Sequence, residues 1–380
     1  MLAIKDFVSA NKSDKATKRN FTDRMWNFFT SLKSVILLLL ILSVLSIVGT
    51  IIEQNKPLQE YYEVFKPSTV ALFNSLGLFD MYHSWWFISC LGLLALNIIA
   101  CTMDRYAPIM SGLREKNLIL DEALEKTLNP KDKIKYALPV DEVEKKVLEL
   151  AGKSFGGQAV VTITEDGSRH YFFEKGKYSR LAFFFTHISV LIIFVGALVG
   201  SCFGFKGYVN IYEGETIGRL ETRTGQIKTL DFSVKCNAFT ADFYPNGMPR
   251  DYISDLSVIK DGKEVLRKNI KVNDPLSFQG ITFYQSSYGS LPYGKELELK
   301  TYTGLQVNKD PGEWFVWVGS LLLVGGIMAA FFVSHKKLWV CLRKDKKGRT
   351  ELSIGGAVNK NRAVFVREVE GIIQRLKEVA

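Results

Sequence analysis

The sequence is poor in the residues from which soluble enzymes build a reactive centre. Among 380 residues there are five cysteines and four histidines. Cys90, Cys101, Cys202, Cys236 and Cys341 form no C-x-x-C pair, which excludes a thioredoxin-like redox motif and the usual spacing of a structural zinc site. No C-x-x-C-H occurs, so the chain has no attachment point for a c-type haem of its own. A Walker loop, a G-x-S-x-G elbow and an H-E-x-x-H helix are missing too, and with them any motif for ATPase, serine-hydrolase or zinc-protease chemistry. Neither an internal repeat nor a low-complexity linker is present. Despite a net charge of +10, no predicted helix carries a basic stripe suited to nucleic acid. The Lys and Arg residues lie beside hydrophobic segments instead.

What the sequence does have is apolar length. Hydrophobic residues make up 47% of the chain. Four runs, Val35 to Ile52, Trp85 to Cys101, Leu181 to Phe203 and Phe315 to Val333, approach or reach the roughly 20 residues needed to cross about 30 Å of hydrocarbon. The first follows the basic residues Lys12, Lys15, Lys18, Arg19, Arg24 and Lys33 but lacks a small-residue cleavage site, and is expected to be a retained helix. The expected fold is an integral membrane α-helical protein with four transmembrane helices. It carries a large extracytoplasmic β-sandwich or barrel-like domain and small cytoplasmic α+β segments.

Orientation follows from where positive charge flanks the spans. The loop 53–84 carries only Lys56 and Lys66. The N-terminal arm 1–34, the segment 104–180 and the tail 335–380 are dense in Lys and Arg and are assigned to the cytoplasm. The spans are then 35–52, 85–103, 181–203 and 314–334, with 53–84 and 204–313 outside. The outer segment 204–313 reads as antiparallel β, with Tyr252 to Lys260 and Lys263 to Val272 joined at Asp261-Gly262, a pair suited to a type I′ hairpin. Its aromatics, Phe232, Phe239, Phe243, Tyr244, Phe278, Phe283, Tyr284 and Tyr288, are assigned to the core. Within the cytoplasmic pieces a helix is expected over Asp141 to Gly152, and a hairpin turns about Asp166-Gly167. The tail adds strands and a last helix from Ala363, so the two pieces can pack as one small α+β unit.

Ionisable side chains inside a span are costly and so mark function. One histidine qualifies: His187, roughly 9 Å into the third span. A neutral imidazole there can ligate a haem iron through one nitrogen while the other is hydrogen-bonded, or it can simply bond a neighbouring helix. With no second histidine in a span, a bis-histidine haem site needs a ligand from another polypeptide. His335, just past the fourth span among Lys336 and Lys337, and His83, beside the interfacial Trp85 and Trp86, have cheaper interfacial readings. Asn97 is suited to an interhelical bond. Gly196, Gly200 and Gly204 make a smooth strip for close helix approach. Cys202 and Cys236, the two cysteines on the outer side, are a possible disulfide.

Several stretches resemble the ResB (CcsB) family of System II cytochrome c biogenesis proteins. The most specific are VNDPLSFQGITFYQSSYG (Val272 to Gly289) and DPGEWFVWVGSLLLVGGIMAAFFVSHKKLWVCL (Asp310 to Leu342). Three further segments support it, from Ser31 to Asn55, His187 to Glu215 and Tyr244 to Val258, so the likeness runs from about Met25 to Leu342. The resemblance implies a membrane complex with a CcsA (ResC) type subunit that carries haem b across the bilayer and attaches it to apocytochrome c. The family's intramembrane histidine matches His187, which would hold the haem iron transiently together with a partner histidine. The tryptophan-rich haem-handling motif of the partner is not in this chain, so the resemblance implies a subunit of a haem-lyase complex and not a complete synthase. Expected partners are the CcsA-type subunit, apocytochrome c and thiol-disulfide oxidoreductases, and the expected site is the bacterial cytoplasmic membrane. The alternative is a non-catalytic scaffold that braces the partner and recruits apocytochrome or thiol-redox proteins without binding haem.

Overall fold

The computed structural model describes residues 21–222, 225–246, 248–293, 298–345 and 349–378. Lys12, Lys15, Lys18 and Arg19 of the basic arm, and Lys346 and Lys347 of the tail, lie outside them. After a short helix α1 (Phe21–Phe29), four helices are long and apolar enough to cross a membrane. These are α2 (Leu32–Ile51), α5 (Trp85–Arg114), α8 (Ala182–Phe203) and α9 (Glu313–Phe332). They expose large apolar side chains such as Leu37, Leu40, Leu198, Leu321 and Phe331. Such a surface is stable only in lipid or against a partner. Helix α5 runs eleven residues past Met103, the expected end of the second span. Polar residues such as Asp104 and Arg105 do not stop a helix, and Pro108 inside it removes one backbone bond without ending it. At 30 residues α5 is about 45 Å long, so it outreaches the hydrocarbon.

The chain forms two compact units whose boundaries fall inside all four long helices. One unit holds a five-stranded antiparallel sheet in the order β1-β13-β12-β3-β2. Its strands are β1 (Lys131–Tyr136), β2 (Val160–Ile163), β3 (Arg169–Lys175), β12 (Lys336–Lys344) and β13 (Thr350–Val358). Helices α7 (Val140–Phe155) and α10 (Arg362–Lys377) cover one face. The spacing of Val143, Val147, Ala151 and Phe155 along α7, and of Phe365, Val369, Ile372, Ile373 and Leu376 along α10, buries one stripe of each helix. Tyr136 reaches across this core to donate its hydroxyl to the Leu376 carbonyl at 2.8 Å, and burial pushes its phenol up to about 12. The other face buries Leu120, Leu128, Phe172 and Trp339 beside the short helix α6 (Glu122–Thr127). Expected helix and hairpin positions hold here, and the two sequence-distant pieces do form one α+β unit.

The second unit begins with α3 (Leu58–Val64) and α4 (Pro67–Ser75), where the Tyr61 and Phe79 rings stack at 3.7 Å. Its sheet has eight antiparallel strands in the order β8-β7-β6-β5-β4-β11-β10-β9. They are β4 (Phe205–Tyr212), β5 (Thr216–Thr222), β6 (Ile227–Phe243), β7 (Pro249–Lys260), β8 (Lys263–Ile270), β9 (Leu276–Phe278), β10 (Ile281–Tyr293) and β11 (Glu298–Lys309). Asp261 and Gly262 have φ of 52° and 76°, the left-handed pair that a type I′ turn demands. Where a sandwich or barrel-like domain was expected, the described strands form no closed barrel. This is one continuous open sheet, bent by register shifts in β5, β6, β7 and β10. A short turn joins its two edge strands, β8 and β9, yet no ladder pairs them and only the bridge Lys271–Asp274 closes the turn. The curl encloses an apolar core of Ile211, Val234, Leu256, Val258, Phe283 and Leu305. Phe232 and Phe283 are buried as expected. Tyr284 is exposed because a strand turns alternate side chains to the outer face, and Tyr244 because it lies in the turn just past β6. The Phe243 side chain lies outside the described residues.

Candidate functional site

His187 sits one turn into α8, where Phe183 packs on its ring with centroids 4.0 Å apart. The imidazole is half-buried and reaches α5, with Nδ1 3.0 Å from the Thr102 hydroxyl. That hydroxyl lies 2.6 Å from the Ile98 carbonyl on its own helix. A threonine hydroxyl has one hydrogen, and a carbonyl only accepts, so the hydrogen goes to Ile98 and the oxygen lone pair faces His187. Nδ1 therefore carries the imidazole proton and donates to Thr102. Nε2 is left as the basic nitrogen, and no described residue hydrogen-bonds to it. This is the arrangement found for metal-ligating histidines, whose second ring N–H is held by a fixed acceptor.

The hydrogen bond seen at Asn97 stays within α5 and does not bridge to another helix. Asn97, buried as a polar side chain in a span must be, lies on α5 with its Oδ1 3.6 Å from the Cys101 thiol. On the adjoining face of α8, a Cβ at Gly326 of α9 would come within 2.9 Å of Thr186.

The remaining histidines are spent or exposed. His335 is 2% exposed, with Nδ1 accepting from Arg180 Nε at 3.0 Å and Nε2 donating to Glu174 Oε1 at 2.8 Å. Burial, helped by Lys337 and Arg180 nearby, holds it below the ordinary histidine range. It has no nitrogen free for a metal. His170 accepts the Leu120 amide at Nδ1 in the sheet core, and His83 pairs with Asp80 at 2.6 Å on the surface. Among the described residues no cluster of three or more His, Cys, Asp or Glu is placed to hold a metal ion. A single imidazole such as that of His187 could still serve as one ligand to a haem iron.

The other singled-out residues are elsewhere. Cys202, exposed at the end of α8, and Cys236, buried in β6, are both free thiols. Burial pushes the Cys236 thiol up to about 11. In the second unit, Gly196 and Gly200 receive the start of α9. A Cβ at Gly196 would lie 2.9 Å from the Gly312 carbonyl, and one at Gly200 would lie 2.5 Å from Asp310 Oδ1. Sequence reasoning missed Thr102. Its only sign was a hydroxyl in a span, and threonines there commonly bond nothing but their own helix.

The sequence profile of the ResB-like family matches residues 32–299 and 290–370. A cytochrome c biogenesis protein CcsB from Microcystis aeruginosa (strain NIES-843 / IAM M-2473) is 27% identical over 436 aligned positions, which cover 91% of this chain and 94% of that protein. The CcsB of Crocosphaera subtropica (strain ATCC 51142 / BH68) is 28% identical and covers 99% of both chains. Among solved structures, one named cytochrome c heme lyase CcmF superposes at a TM-score of 0.32 with 12% identity, over 69% of this chain and 43% of its own. That likeness is too distant to carry an argument.

Proposed function

This chain belongs to the ResB-like family, and from that membership we propose that it is the ResB-type subunit of a System II cytochrome c assembly complex, with haem b as its cargo. His187 offers Nε2 as one axial ligand to the iron, and a CcsA-type partner supplies the opposite histidine. The chain would lie in the bacterial cytoplasmic membrane with both termini, 104–180 and 335–380 inside. The loop 53–84 and the domain 204–313 would lie outside, where apocytochrome c and thiol-disulfide oxidoreductases are met. In that arrangement the open sheet helps to hold the apoprotein while the partner completes thioether formation.

The supporting observation is how the imidazole is divided: Nδ1 is committed to Thr102, and Nε2 is unclaimed. A neutral histidine of this tautomer needs no deprotonation before it binds iron, and its ring is already oriented. The scaffold reading uses the same Thr102 bond and gives Nε2 no task. The two separate by experiment. In the co-purified two-subunit complex, His187→Ala should lose most of the bound haem, seen as the Soret band, and lose cytochrome c maturation. Added imidazole should restore part of both. Unchanged haem content and maturation would remove the ligand role and leave the scaffold.

A further inference from the structure

A second place in the molecule has unspent chemistry. Beside the five-stranded sheet, where the turn Lys177–Leu181 enters α8 and Val333 leaves α9, lies a cleft of about 390 Å³. Phe172, Tyr178 and Val333 form its apolar wall, and Lys116, Glu174, Lys177 and Ser179 its polar part. Glu174 is fully used: Oε2 takes Lys116 at 2.8 Å, and Oε1 accepts from His335. Burial pushes this carboxyl up, but those two donors outweigh it and hold it below the usual carboxylate range.

Positive charge remains in excess around that single carboxylate. Lys337 Nζ stands 6.0 Å from the Phe172 ring, Lys116 Nζ stands 5.8 Å from the same ring, and Lys177 Nζ lies 4.7 Å from Tyr178. Arg180 stands behind them on His335. Burial, together with Arg180 and Lys116, holds the Lys337 amine below its ordinary range. Ser179 is buried, and its hydroxyl has no partner among the described residues. An unused buried donor is costly unless something accepts from it.

We propose that this cleft binds an amphipathic anion. Its carboxylate or phosphate oxygens would sit among Lys116, Lys177 and Ser179, and its apolar body would lie against Phe172, Tyr178 and Val333. An oxyanion supplies lone pairs to the idle hydroxyl and neutralises the cations, while the aromatic wall takes a flat or branched hydrocarbon. Val333 and Lys177 to Ser179 place the cleft beside the ends of two membrane-length helices, where the headgroup region of a bilayer would lie. Two sources share this chemistry: the headgroup of an acidic phospholipid and the propionates of a porphyrin. The inference does not rest on His187, and its test is run without that residue.

The full-length chain carrying His187→Ala is reconstituted in phosphatidylcholine nanodiscs. One arm adds phosphatidylglycerol and counts retained lipid by native mass spectrometry. The other titrates iron-free protoporphyrin IX by its fluorescence, with the uncharged dimethyl ester as control. One anion should bind at least tenfold more tightly than its uncharged counterpart, and which one does so identifies the source. Lys116→Gln with Lys177→Gln should abolish that preference. Because loss of Lys116 also unpairs Glu174, Lys177→Glu alone serves as the second variant and should weaken anion binding by tenfold or more. Absence of any anion preference, or a preference unchanged in Lys177→Glu, overturns the proposal.

Discussion

At Thr102 a single hydroxyl hydrogen decides which nitrogen of His187 is basic. Thr102→Val keeps the shape and removes both the donor to Ile98 and the acceptor for Nδ1. Loss of such a supporting partner typically costs about tenfold to a hundredfold in metal affinity. Haem retained by the assembled complex, titrated with a competing haem-binding protein, should fall by that range while total protein and melting temperature stay near wild type. Unaltered retention would show that the tautomer is not held by this residue. His335 makes a second prediction. Its Nδ1 accepts from Arg180, so protonation there would set N–H against N–H. The unfolded histidine takes up its proton near its ordinary value of 6.5, whereas the folded one resists to lower pH. Below 6.5 the unfolded state therefore binds more protons, and stability falls as pH drops. Glu174, held low, adds a further loss once pH passes below its ordinary 4.5. Melting temperature measured from pH 7.5 to 5.5 should decline in the wild type and decline less in His335→Gln. Equal slopes would assign the pH response to other groups.

Between elements, the tightest packing lies along the glycine strip of α8. Gly196 faces the Gly312 carbonyl and the Cβ of Phe315, atoms that no rotamer change can move, so an added methyl is not easily absorbed. Gly196→Ala should destabilise by about 1–3 kcal/mol, the usual cost of overpacking. Gly325→Ala in α9 meets open space and should be neutral or slightly stabilising. Thermal unfolding of the two variants in the same detergent tests the pair, and similar melting temperatures would mean that the helices part easily here. The strip itself was legible as small residues at four-residue spacing, because the property needed is the absence of a side chain. Its partner, Gly312 with Asp310, was not, because nothing in one helix names the segment that will face it. The Asp261-Gly262 turn was legible for a local reason, since few residue pairs accept positive φ twice in succession. The full length of α5 was not legible because hydropathy reports where lipid ends and not where a helix ends.

Over the whole molecule, the decisive feature is that strands far apart in sequence share a sheet. β12 and β13 lie between β1 and β3, so the tail completes a sheet begun some 200 residues earlier. Core residues Leu338, Val340, Leu352, Ile354 and Phe365 come from the tail, and Tyr136, Val147, Tyr171 and Phe173 from the earlier segment. A chain ending at Val333 should therefore leave 116–176 without most of its core. Limited proteolysis should cut that segment rapidly in the truncated chain and spare it in the full one. Equal protection in both would show that the earlier segment folds alone.

Sequence by itself determined the four membrane helices, the hairpins and the solitary intramembrane histidine. Each depends on neighbours along the chain, whether apolar length against bilayer thickness, turn residues against allowed φ, or simply a count. Only the tertiary structure decided that Nε2 of His187 is the free nitrogen, that His335 is spent on Arg180 and Glu174, and that the larger sheet stays open although a short turn joins its edges. Those outcomes depend on groups that are distant in sequence and meet only once the backbone has packed. A hydrogen bond or an unpaired strand edge then follows from geometry that no local pattern encodes.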